Sequence, residues 1–485
     1  MISRPFVALL AILAGCLVGH ASSAGPVVFP LHQSSSNRYL VDANGAPFPI
    51  LGRASWGIIG LSASAYQAAL ADATSKGFNA IEFRAPDGSQ QDCCVPQDGA
   101  GHLPFLSKVG GGAYTGSFSE TPDFSTPNEA YWSYVDTFID YCASQGIAVL
   151  WFPAYIGYDS SLQGWGNVMV ANGATKMQSY GAFVANRYKD RKNIIWMLGG
   201  DRGTSDNPFS GSAEINAESA LITGLKSVVG QQSTQYTAEW ASNSYGDEQT
   251  NFGSQLTLNG VYSFEGNTAT WARNGYSDSP TKPTFLLEEP YDEEGSDGTS
   301  KNGSATQPVR RFVWWALLNS GAGYMAGNGY LIHFFNGYTA HFSSQGQIDL
   351  AMLNTLWKSI PWHELVPSGL GGMKTIVVSG GSAPSNSDYV PAAATPSGTW
   401  LLAYVPPAHS GSITVDMTVM SGPSTARWWN PTNGTFSAIG SFPNTGTHSF
   451  TPPGDNGTGF DDWVLVLDTG ATAVAPLPPT NVTAL

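Results

Sequence analysis

Eight short apolar runs constrain the fold of this chain more than any other feature. They occupy residues 48–52, 78–83, 148–153, 194–199, 235–239, 258–264, 284–289 and 322–326. Longer segments with the 3.6-residue period of amphipathic helices separate most of them, which indicates βα units and a parallel sheet. Eight units predict an α/β fold, a closed (β/α)8 TIM barrel, rather than an open sheet. In such a barrel the functional groups follow the C-terminal ends of the strands.

The helical segments can be assigned from the same periodicity. They are residues 64–76, 129–145, 175–190, 213–229, 308–320 and 347–360. The segment around 270–277 is too short and polar to be assigned as a helix from its pattern.

The pattern changes at Met373, where the helical period is replaced by short alternating runs between Gly, Pro and Ser clusters. This change predicts a small all-β sandwich over residues 373–468, after a barrel domain over residues 25–370. Residues 469–485 are expected to form a tail. We expect the sandwich to stabilise the barrel, with Trp463 buried against it.

Residues 1–24 have the features of a secretory signal peptide. Arg4 precedes an almost wholly apolar stretch, and small residues lead up to Ala24. A lipoprotein signal with Cys16 acylated is the less favoured alternative. We therefore expect an exported protein, extracellular or periplasmic, and no later run reaches the ~18 apolar residues of a membrane helix. At most one disulfide is expected from Cys93, Cys94 and Cys142.

The charge balance narrows the possible partners. The chain has 21 Lys and Arg against 36 Asp and Glu, a net charge of −15, which excludes a general nucleic-acid binder. Aromatic residues make up 12% of the chain and charged residues also 12%, a composition suited to contact with neutral carbohydrate polymers. No C-x-x-C motif or histidine cluster suggests a metal, so we expect no cofactor. We expect a monomer.

Two strand ends carry the carboxylates that a glycosidase needs. The fourth strand runs into Gly199-Gly200-Asp201, and the seventh ends at Glu288-Glu289-Pro290. Side chains alternate along a strand, so only one of the adjacent glutamates can face the barrel axis, and we expect it to be Glu289. The fourth and seventh strands lie on opposite sides of a barrel mouth. One carboxyl group could therefore protonate a leaving oxygen while the other attacks the anomeric carbon.

Other residues at strand ends are candidates for substrate binding. Glu82, Glu239 and Glu265 also end predicted strands and are interpreted mainly as hydrogen-bonding or rim residues. The predicted substrate-binding residues are Trp56, Arg84, Glu239, Trp240, Tyr262, Tyr291 and Tyr330. Simpler interpretations stay open: an Asp after two glycines can form a turn, and single aromatic residues often belong to the core. The long loop 85–126 is a candidate lid or subsite wall.

Several segments together resemble the apiosidase-type glycoside hydrolases, which carry a (β/α)8 domain and a C-terminal domain named for collagen binding. The resemblance rests on Ser55-Trp56, residues 76–81, the Gly199-Gly200-Asp201 and Glu289-Pro290 segments, and residues 426–431 and 462–465. It implies that Asp201 is the general acid/base and Glu289 the nucleophile of a retaining mechanism.

Two positions depart from the family pattern. Relatives usually have an Asp near position 53 and a His-Pro segment after the fifth strand, whereas this chain has Arg53 and Glu239-Trp240. We expect both positions to line the sugar subsite, so the apiose specificity is not transferred, and Glu239 could share the acid/base work.

The sequence therefore predicts an exported, retaining glycoside hydrolase that acts on plant or microbial polysaccharides or their side chains. The main alternative is a carbohydrate- or matrix-binding protein on a barrel that has lost activity. A metallopeptidase is disfavoured, because the segment beginning His363-Glu364 lacks the second His of an H-E-x-x-H motif.

Overall fold

The computed structural model of the chain describes residues 26–90, 92–158, 163–205, 207–228, 234–263, 267–294 and 309–470. The predicted signal peptide at 1–24 and most of the predicted tail, residues 471–485, lie outside the described residues. So does Glu265, one of the strand-end carboxylates considered above.

Eight parallel strands form the barrel that the apolar runs predict. They are β1 Ile50–Ala54, β2 Ala80–Arg84, β3 Ala148–Phe152, β4 Ile194–Gly199, β5 Gln235–Glu239, β6 Asn259–Tyr262, β7 Thr284–Glu288 and β8 Gly321–Ala326. The strand order β5-β4-β3-β2-β1-β8-β7-β6 leaves one seam, between β5 and β6. The amides of Thr257 and Leu258 donate to the Tyr236 carbonyl at 2.9 and 3.0 Å across that seam. The (β/α)8 architecture is confirmed.

Helices follow the strands on the outside of the barrel. They are α1 Ala63–Ser75, α2 Glu129–Ser144, α3 Gly166–Tyr188, α4 Ser212–Lys226, α5 Thr268–Ser277, α6 Val309–Leu317, α7 Gly329–His333 and α8 Gln345–Ser359. Helix α5 is the polar segment that the pattern left unassigned. Helix α3 begins before the predicted residue 175 and is interrupted at Gly173, where φ is +72°.

Strand alternation sorts the apolar side chains into two layers. Leu150, Phe285 and Leu287 belong to the cluster that fills the barrel, while Val261 and Leu286 belong to the layer under the helices. A three-stranded antiparallel sheet at residues 32–48 contributes to the inner cluster. The interior is thus packed side chains, and chemistry is restricted to the strand ends.

The C-terminal domain consists of antiparallel strands in two sheets. The six-stranded sheet has the order β9-β11-β12-β17-β14-β15 and the three-stranded sheet the order β10-β13-β16. The strands are β9 Val366–Pro367, β10 Val377–Ser379, β11 Ala392–Ala394, β12 Trp400–Val405, β13 Ile413–Asp416, β14 Ser424–Trp429, β15 Phe436–Phe442, β16 Thr447–Phe450 and β17 Trp463–Asp468. The predicted all-β domain is confirmed.

The tryptophan that packs against the barrel is Trp429, not Trp463. Trp463 belongs to the apolar cluster inside the sandwich. On the opposite face of the sheet, the Trp429 ring contacts the Trp314 ring of α6 edge to face, with ring centroids 5.8 Å apart. The Tyr404 ring stacks on the Trp314 indole, with ring centroids 6.1 Å apart. Alternation along β17 turns Trp463 inward and leaves the barrel contact to β12 and β14.

A buried ion network joins the two domains. Arg310 of α6 is 1% exposed, and its Nε and Nη2 each donate to Asp462 of the sandwich at 2.7 Å. Its Nη1 also contacts Asp349 of α8, and the Tyr404 hydroxyl donates to Asp462 at 2.9 Å. Burial lowers the Arg310 pKa, but Asp462 and Asp349 more than compensate, so the net pKa lies above its ordinary value.

Replacing Arg310 with alanine should therefore destabilise the protein strongly. Two buried carboxyl groups would lose their cation, which costs about 3–5 kcal/mol in comparable networks. Urea denaturation measures the free energy of unfolding. Arg427→Ala is the matched control, because the Arg427 side chain is 27% exposed in its ion pair with Asp468. Such a pair should contribute about 0–1 kcal/mol to the free energy of unfolding. Equal losses in the two variants would contradict the role of Arg310.

A buried carboxyl group from α4 supports the end of β4. Glu218 is fully buried, and its Oε1 accepts a hydrogen bond from the Gly199 amide at 3.0 Å. Burial raises the pKa of Glu218 to about 8; the Gly199 hydrogen bond opposes this shift and the charge of Glu214 adds to it. The folded protein therefore favours the protonated acid, which holds the chain just before Gly200 and Asp201.

This raised pKa makes the stability of the fold pH-dependent. Glu218 contributes fully to the free energy of unfolding below the pKa of its unfolded state, near 4.5, and this contribution is lost as the pH rises toward 8. Over that range the free energy of unfolding falls by up to about 1.4 kcal/mol per pH unit. Glu218→Gln cannot ionise, so it should match the wild type near pH 4.5 and exceed it in unfolding free energy at pH 8. Glu364→Gln, at an exposed position, should leave the profile unchanged. A Glu218→Gln profile parallel to that of the wild type would contradict this account.

Candidate active site

Four carboxyl groups meet at the C-terminal mouth of the barrel. Glu82 lies in β2, two residues before its end, Glu239 ends β5, Glu288 ends β7, and Asp201 follows β4. The first three are at most 3% exposed. Burial raises the pKa of Glu239 well above its ordinary value, and the charges of Glu288, Glu82 and Asp201 raise it further. The four groups therefore share one electrostatic environment.

A β-bulge in β7 decides which glutamate faces this mouth. Val261 of β6 pairs with Leu286, but the next residue, Tyr262, pairs with Glu288, so Leu287 is the extra residue. Residues that pair across neighbouring strands have their side chains on the same face of the sheet. Beyond a bulge, the in-and-out alternation of side chains along the strand is reversed. Glu288 consequently lies on the mouth face with Tyr262, whose pKa is raised by burial and then by the charges of Glu288 and Asp201.

Glu289 lies in a different environment from the one that alternation predicts. It is fully buried, and neither of its carboxyl oxygens has a hydrogen-bond partner. After burial, the charges of Glu288, Glu294 and Glu82 raise its pKa. Its own charge acts on Tyr324, in the layer under the helices, and also on Tyr291. We therefore correct the expected orientation: Glu288, not Glu289, shares the mouth with Asp201.

A strained turn brings Asp201 to the mouth. The φ angles of Gly199, Gly200 and Asp201 are +78°, +130° and +52°. A Cβ atom on Gly199 would lie 2.4 Å from the Glu239 carbonyl oxygen, and the Gly200 amide donates to that same oxygen at 2.8 Å. Only glycine allows this approach. The turn thus ties Asp201 to the end of β5, and the Asp201 charge raises the pKa values of Tyr155, Tyr262 and Glu239.

One guanidinium group balances these carboxyl groups. Arg84 is 2% exposed, and its Cζ lies 3.8 Å from the centre of the Trp56 ring and 3.5 Å from that of Tyr155. Burial lowers its pKa, but Tyr155 and the nearby carboxylates, Glu239 among them, raise it above its ordinary value. Arg84 in turn lowers the pKa values of Glu82 and Glu239. It is a permanent positive charge between two aromatic faces.

Glu82 is mostly a neutral acid at pH 7. Burial and the charge of Glu288 raise its pKa to about 8, while Arg84 and a hydrogen bond from Trp56 oppose that shift. The Trp56 Nε1 donates to Glu82 Oε1 at 2.8 Å, and Glu82 Oε2 has no partner. A protonated carboxyl group in this position can both donate and accept hydrogen bonds, as recognition of a sugar hydroxyl requires.

The long loop after β2 forms a wall beside Arg84. Its Asp92 lies 3.9 Å from Arg84 and contacts the ring of His333 at the end of α7. Asp92 is followed by a disulfide between Cys93 and Cys94, and the Cys93 amide donates to the His333 carbonyl at 2.9 Å. The loop thus packs against the segment after β8. Cys142 is buried and free.

The predicted aromatic residues separate into two groups. Trp56, Tyr262 and Tyr291 lie at the mouth; Tyr291 packs on Trp56 at 5.7 Å, and its pKa is raised by burial and by Glu288. Trp240 is buried against the Gly199 turn, and its Nε1 donates to the Gly246 carbonyl at 2.9 Å. Tyr330 stacks on His341 at 3.6 Å. Its predicted contact with substrate stays a prediction.

Arg53 does not line the sugar subsite, contrary to the sequence interpretation. It pairs with Ile81 in the outward-facing register of β1. Its Nη2 donates to Asp72 of α1 at 2.8 Å, and its guanidinium lies over Phe78. Position 53 therefore secures α1 to the barrel. Glu239, the other position that departs from the family pattern, does lie at the mouth.

The sequence analysis missed three residues of this site: Tyr155, Asp92 and His333. Tyr155 follows β3 by three residues, so applying the strand-end rule to β3 would have found it. Asp92 and His333 are far apart in sequence and carry no shared motif, so only the packing of loop 85–126 reveals them.

Two further observations concern only the described ranges of the chain. Within them, no three His, Cys, Asp or Glu side chains are grouped so that they could hold a metal ion. None of the helices there combines the length and apolar character that crossing a bilayer requires.

Comparison with known structures places the fold. A structure titled "Glycoside hydrolase" has 19% identity and a TM-score of 0.71, covering 92% of this chain and 98% of that one. A glycoside hydrolase family 5 structure from Bacteroides vulgatus has 20% identity and a TM-score of 0.70, covering 93% and 96%. At these identities the likeness concerns the fold. A search among curated proteins returned no match.

Family models identify both domains. Residues 376–468 match "Putative collagen-binding domain of a collagenase". Residues 34–367, most of the chain, match "Apiosidase-like, catalytic domain". The chain therefore belongs to the apiosidase-like family of glycoside hydrolases.

Proposed function

We propose that this protein is an exported, retaining glycoside hydrolase that cleaves glycosidic bonds in plant or microbial polysaccharides or their side chains. One observation carries the proposal: the turn after β4 holds Asp201 beside the end of β5, and the bulge in β7 places Glu288 on the face of Tyr262, at one buried mouth. Carboxyl groups from these two strands can approach a glycosidic bond from both sides. Export rests on residues 1–24 and stays a prediction.

Glu288 is the proposed nucleophile. Its charge raises the pKa values of Glu82, Glu239 and Tyr291. Raised pKa values favour the protonated state of Glu82 and Glu239, so the nucleophilic role is assigned to Glu288. It attacks the anomeric carbon and forms a glycosyl-enzyme ester while the bond to the leaving oxygen breaks.

Asp201 is the proposed acid/base. It is only partly buried, so it can exchange a proton with water between steps. In the first step it gives its proton to the leaving oxygen. In the second step it takes a proton from water, whose oxygen attacks the anomeric carbon and releases Glu288 as the carboxylate.

The remaining groups at the mouth are proposed to bind the sugar. Glu82 and Glu239 as neutral acids, with Arg84, offer donors and acceptors to hydroxyl groups. Trp56, Tyr262 and Tyr291 supply ring faces and exclude water from the reacting bond. The specificity implied by the family name is not assumed, because Glu239-Trp240 stands where relatives have a different segment.

A matched pair of substitutions tests this assignment. The protein is first screened on neutral polysaccharides and aryl glycosides, with product analysis. On a substrate that the wild type cleaves, Glu288→Gln should reduce kcat more than about 1,000-fold, because no covalent intermediate can form. Glu289→Gln, one residue away and also buried, should stay within about tenfold of wild type. Circular dichroism should show both variants folded.

The opposite pattern would contradict the proposal. If Glu289→Gln loses activity while Glu288→Gln keeps it, the simple alternation along β7 is correct and the nucleophile is Glu289. If the wild-type protein binds glycans but cleaves none of them, the carbohydrate-binding interpretation replaces the enzymatic one.

A further inference from the structure

A cavity of about 480 Å³ lies beside the barrel mouth, among the segments that follow β4, β5 and β6. Two of its walls continue directly from candidate catalytic groups. The chain after Asp201 lines it at 203–205, and Trp240, the residue after Glu239, lines it from β5. The Ala241 amide donates to the Arg202 carbonyl at 3.2 Å and joins these two walls. Both walls therefore begin within two residues of Asp201 or Glu239.

Hydroxyl and amide groups dominate the polar lining of this cavity. They belong to Thr204, Ser205, Asn243, Ser244, Gln249 and Thr250. Gln249 fixes the wall, since its Nε2 donates to the Gly203 carbonyl at 2.8 Å. The Thr204 Oγ1 is buried and has no hydrogen-bond partner. A buried hydroxyl group without a partner is costly, and a bound hydroxyl-rich ligand would satisfy it.

The charges around the cavity disfavour an anionic ligand. Among the described residues that line it, Glu248 is acidic, and there is no lysine or arginine. A uronate or sulfated sugar would meet Glu248 without a cation in the lining to pair with, whereas an uncharged sugar would not need one.

An aromatic side chain offers a stacking face in the same cavity. Trp271 of α5 lines it and is partly buried. Its ring meets that of Tyr245 at 6.3 Å with an interplanar angle of 45°, and Tyr245 pairs with Val261 of β6. The Trp271 indole therefore packs on a residue that is paired with β6, the strand of Tyr262. Sugars present apolar C–H faces that pack on such rings.

We infer that this cavity is a subsite for an uncharged sugar unit on the leaving-group side of the scissile bond. The inference rests on the proposed function, in which Asp201 protonates the leaving oxygen and begins the segment that lines the cavity. It goes further in naming the substrate class: a glycoside whose leaving group is itself a neutral sugar, as within an oligosaccharide or polysaccharide. Trp271 and Thr204 are its predicted contacts.

Affinity electrophoresis in native gels tests the subsite without requiring turnover. The full-length Glu288→Gln protein is run through gels that contain galactan, galactomannan, xyloglucan or debranched arabinan, and through gels with polygalacturonate. At least one neutral polymer should retard it more than polygalacturonate does. Adding Trp271→Ala should weaken that affinity about tenfold or more, and Trp271→Phe should restore most of it. Thr204→Val, which keeps the shape but removes the hydroxyl group, should weaken it less.

The control and the contrary outcomes separate this inference from the proposed function. Phe436→Ala changes a partly buried aromatic residue of the sandwich and should leave retardation unchanged. Unchanged retardation in the Trp271→Ala protein, stronger retardation by polygalacturonate, or no retardation by any neutral polymer would overturn the subsite. If retardation depends on Trp271 while the wild-type protein cleaves none of these polymers, the cavity binds neutral sugars, but both the proposed function and the leaving-group assignment fail.

Discussion

The site depends on one cation–aromatic arrangement, the guanidinium group of Arg84 held between Trp56 and Tyr155. Several acidic groups crowd one buried mouth, and two like charges at about 4 Å repel by roughly 4 kcal/mol at an effective dielectric constant of 20. Arg84 offsets part of that repulsion, and the raised pKa values of Glu82 and Glu239 relieve much of the rest by protonation. The mouth therefore combines neutral acids with few charged carboxylates. That mixture suits hydrogen bonding to sugar hydroxyl groups together with nucleophilic attack.

Two local departures from regular backbone geometry complete this arrangement. The turn at Gly199 and Gly200 lets the chain approach β5 closely enough to place Asp201 beside Glu239. The bulge at Leu287 places Glu288 on the face of Tyr262. Both distortions lie at strand ends, where the ladder can be interrupted without exposing the core. Glu218 supports the first of them from behind, through the Gly199 amide.

The sequence was sufficient for the architecture because hydrophobic periodicity is a local property. All eight barrel strands overlap the predicted runs. The change of pattern at Met373 predicts the all-β region, but the first strand of its larger sheet, Val366–Pro367, precedes that residue. The orientation of Glu288 and Glu289 could not be predicted in the same way. The two are adjacent and chemically identical, and the bulge that selects between them depends on the pairing with β6. Trp463 and Trp429 pose the same problem, because the face of a strand that meets another domain is decided by tertiary packing.

The candidate site was predictable only where chemistry coincides with a strand end. Asp201 and Glu239 follow or end strands and Glu82 lies near the end of one, so they could be named from the sequence. Asp92 and His333 are 241 residues apart and meet only in the folded chain. Arg53 shows the opposite error. Its departure from the family pattern suggested a place in the subsite, but alternation turns it toward Asp72 on α1.

Covalent trapping tests the central claim, that Glu288 is the nucleophile at a shared mouth, most directly. The protein is incubated with 2-deoxy-2-fluoroglycosyl fluorides of the sugar that it releases, which slow hydrolysis of the glycosyl-enzyme intermediate, and the labelled peptide is sequenced by mass spectrometry. The account predicts one fluoroglycosyl group per protein, attached to Glu288, and no label in the Glu288→Gln variant. Label on Glu289 or Glu239, or inactivation that survives in Glu288→Gln, would contradict it.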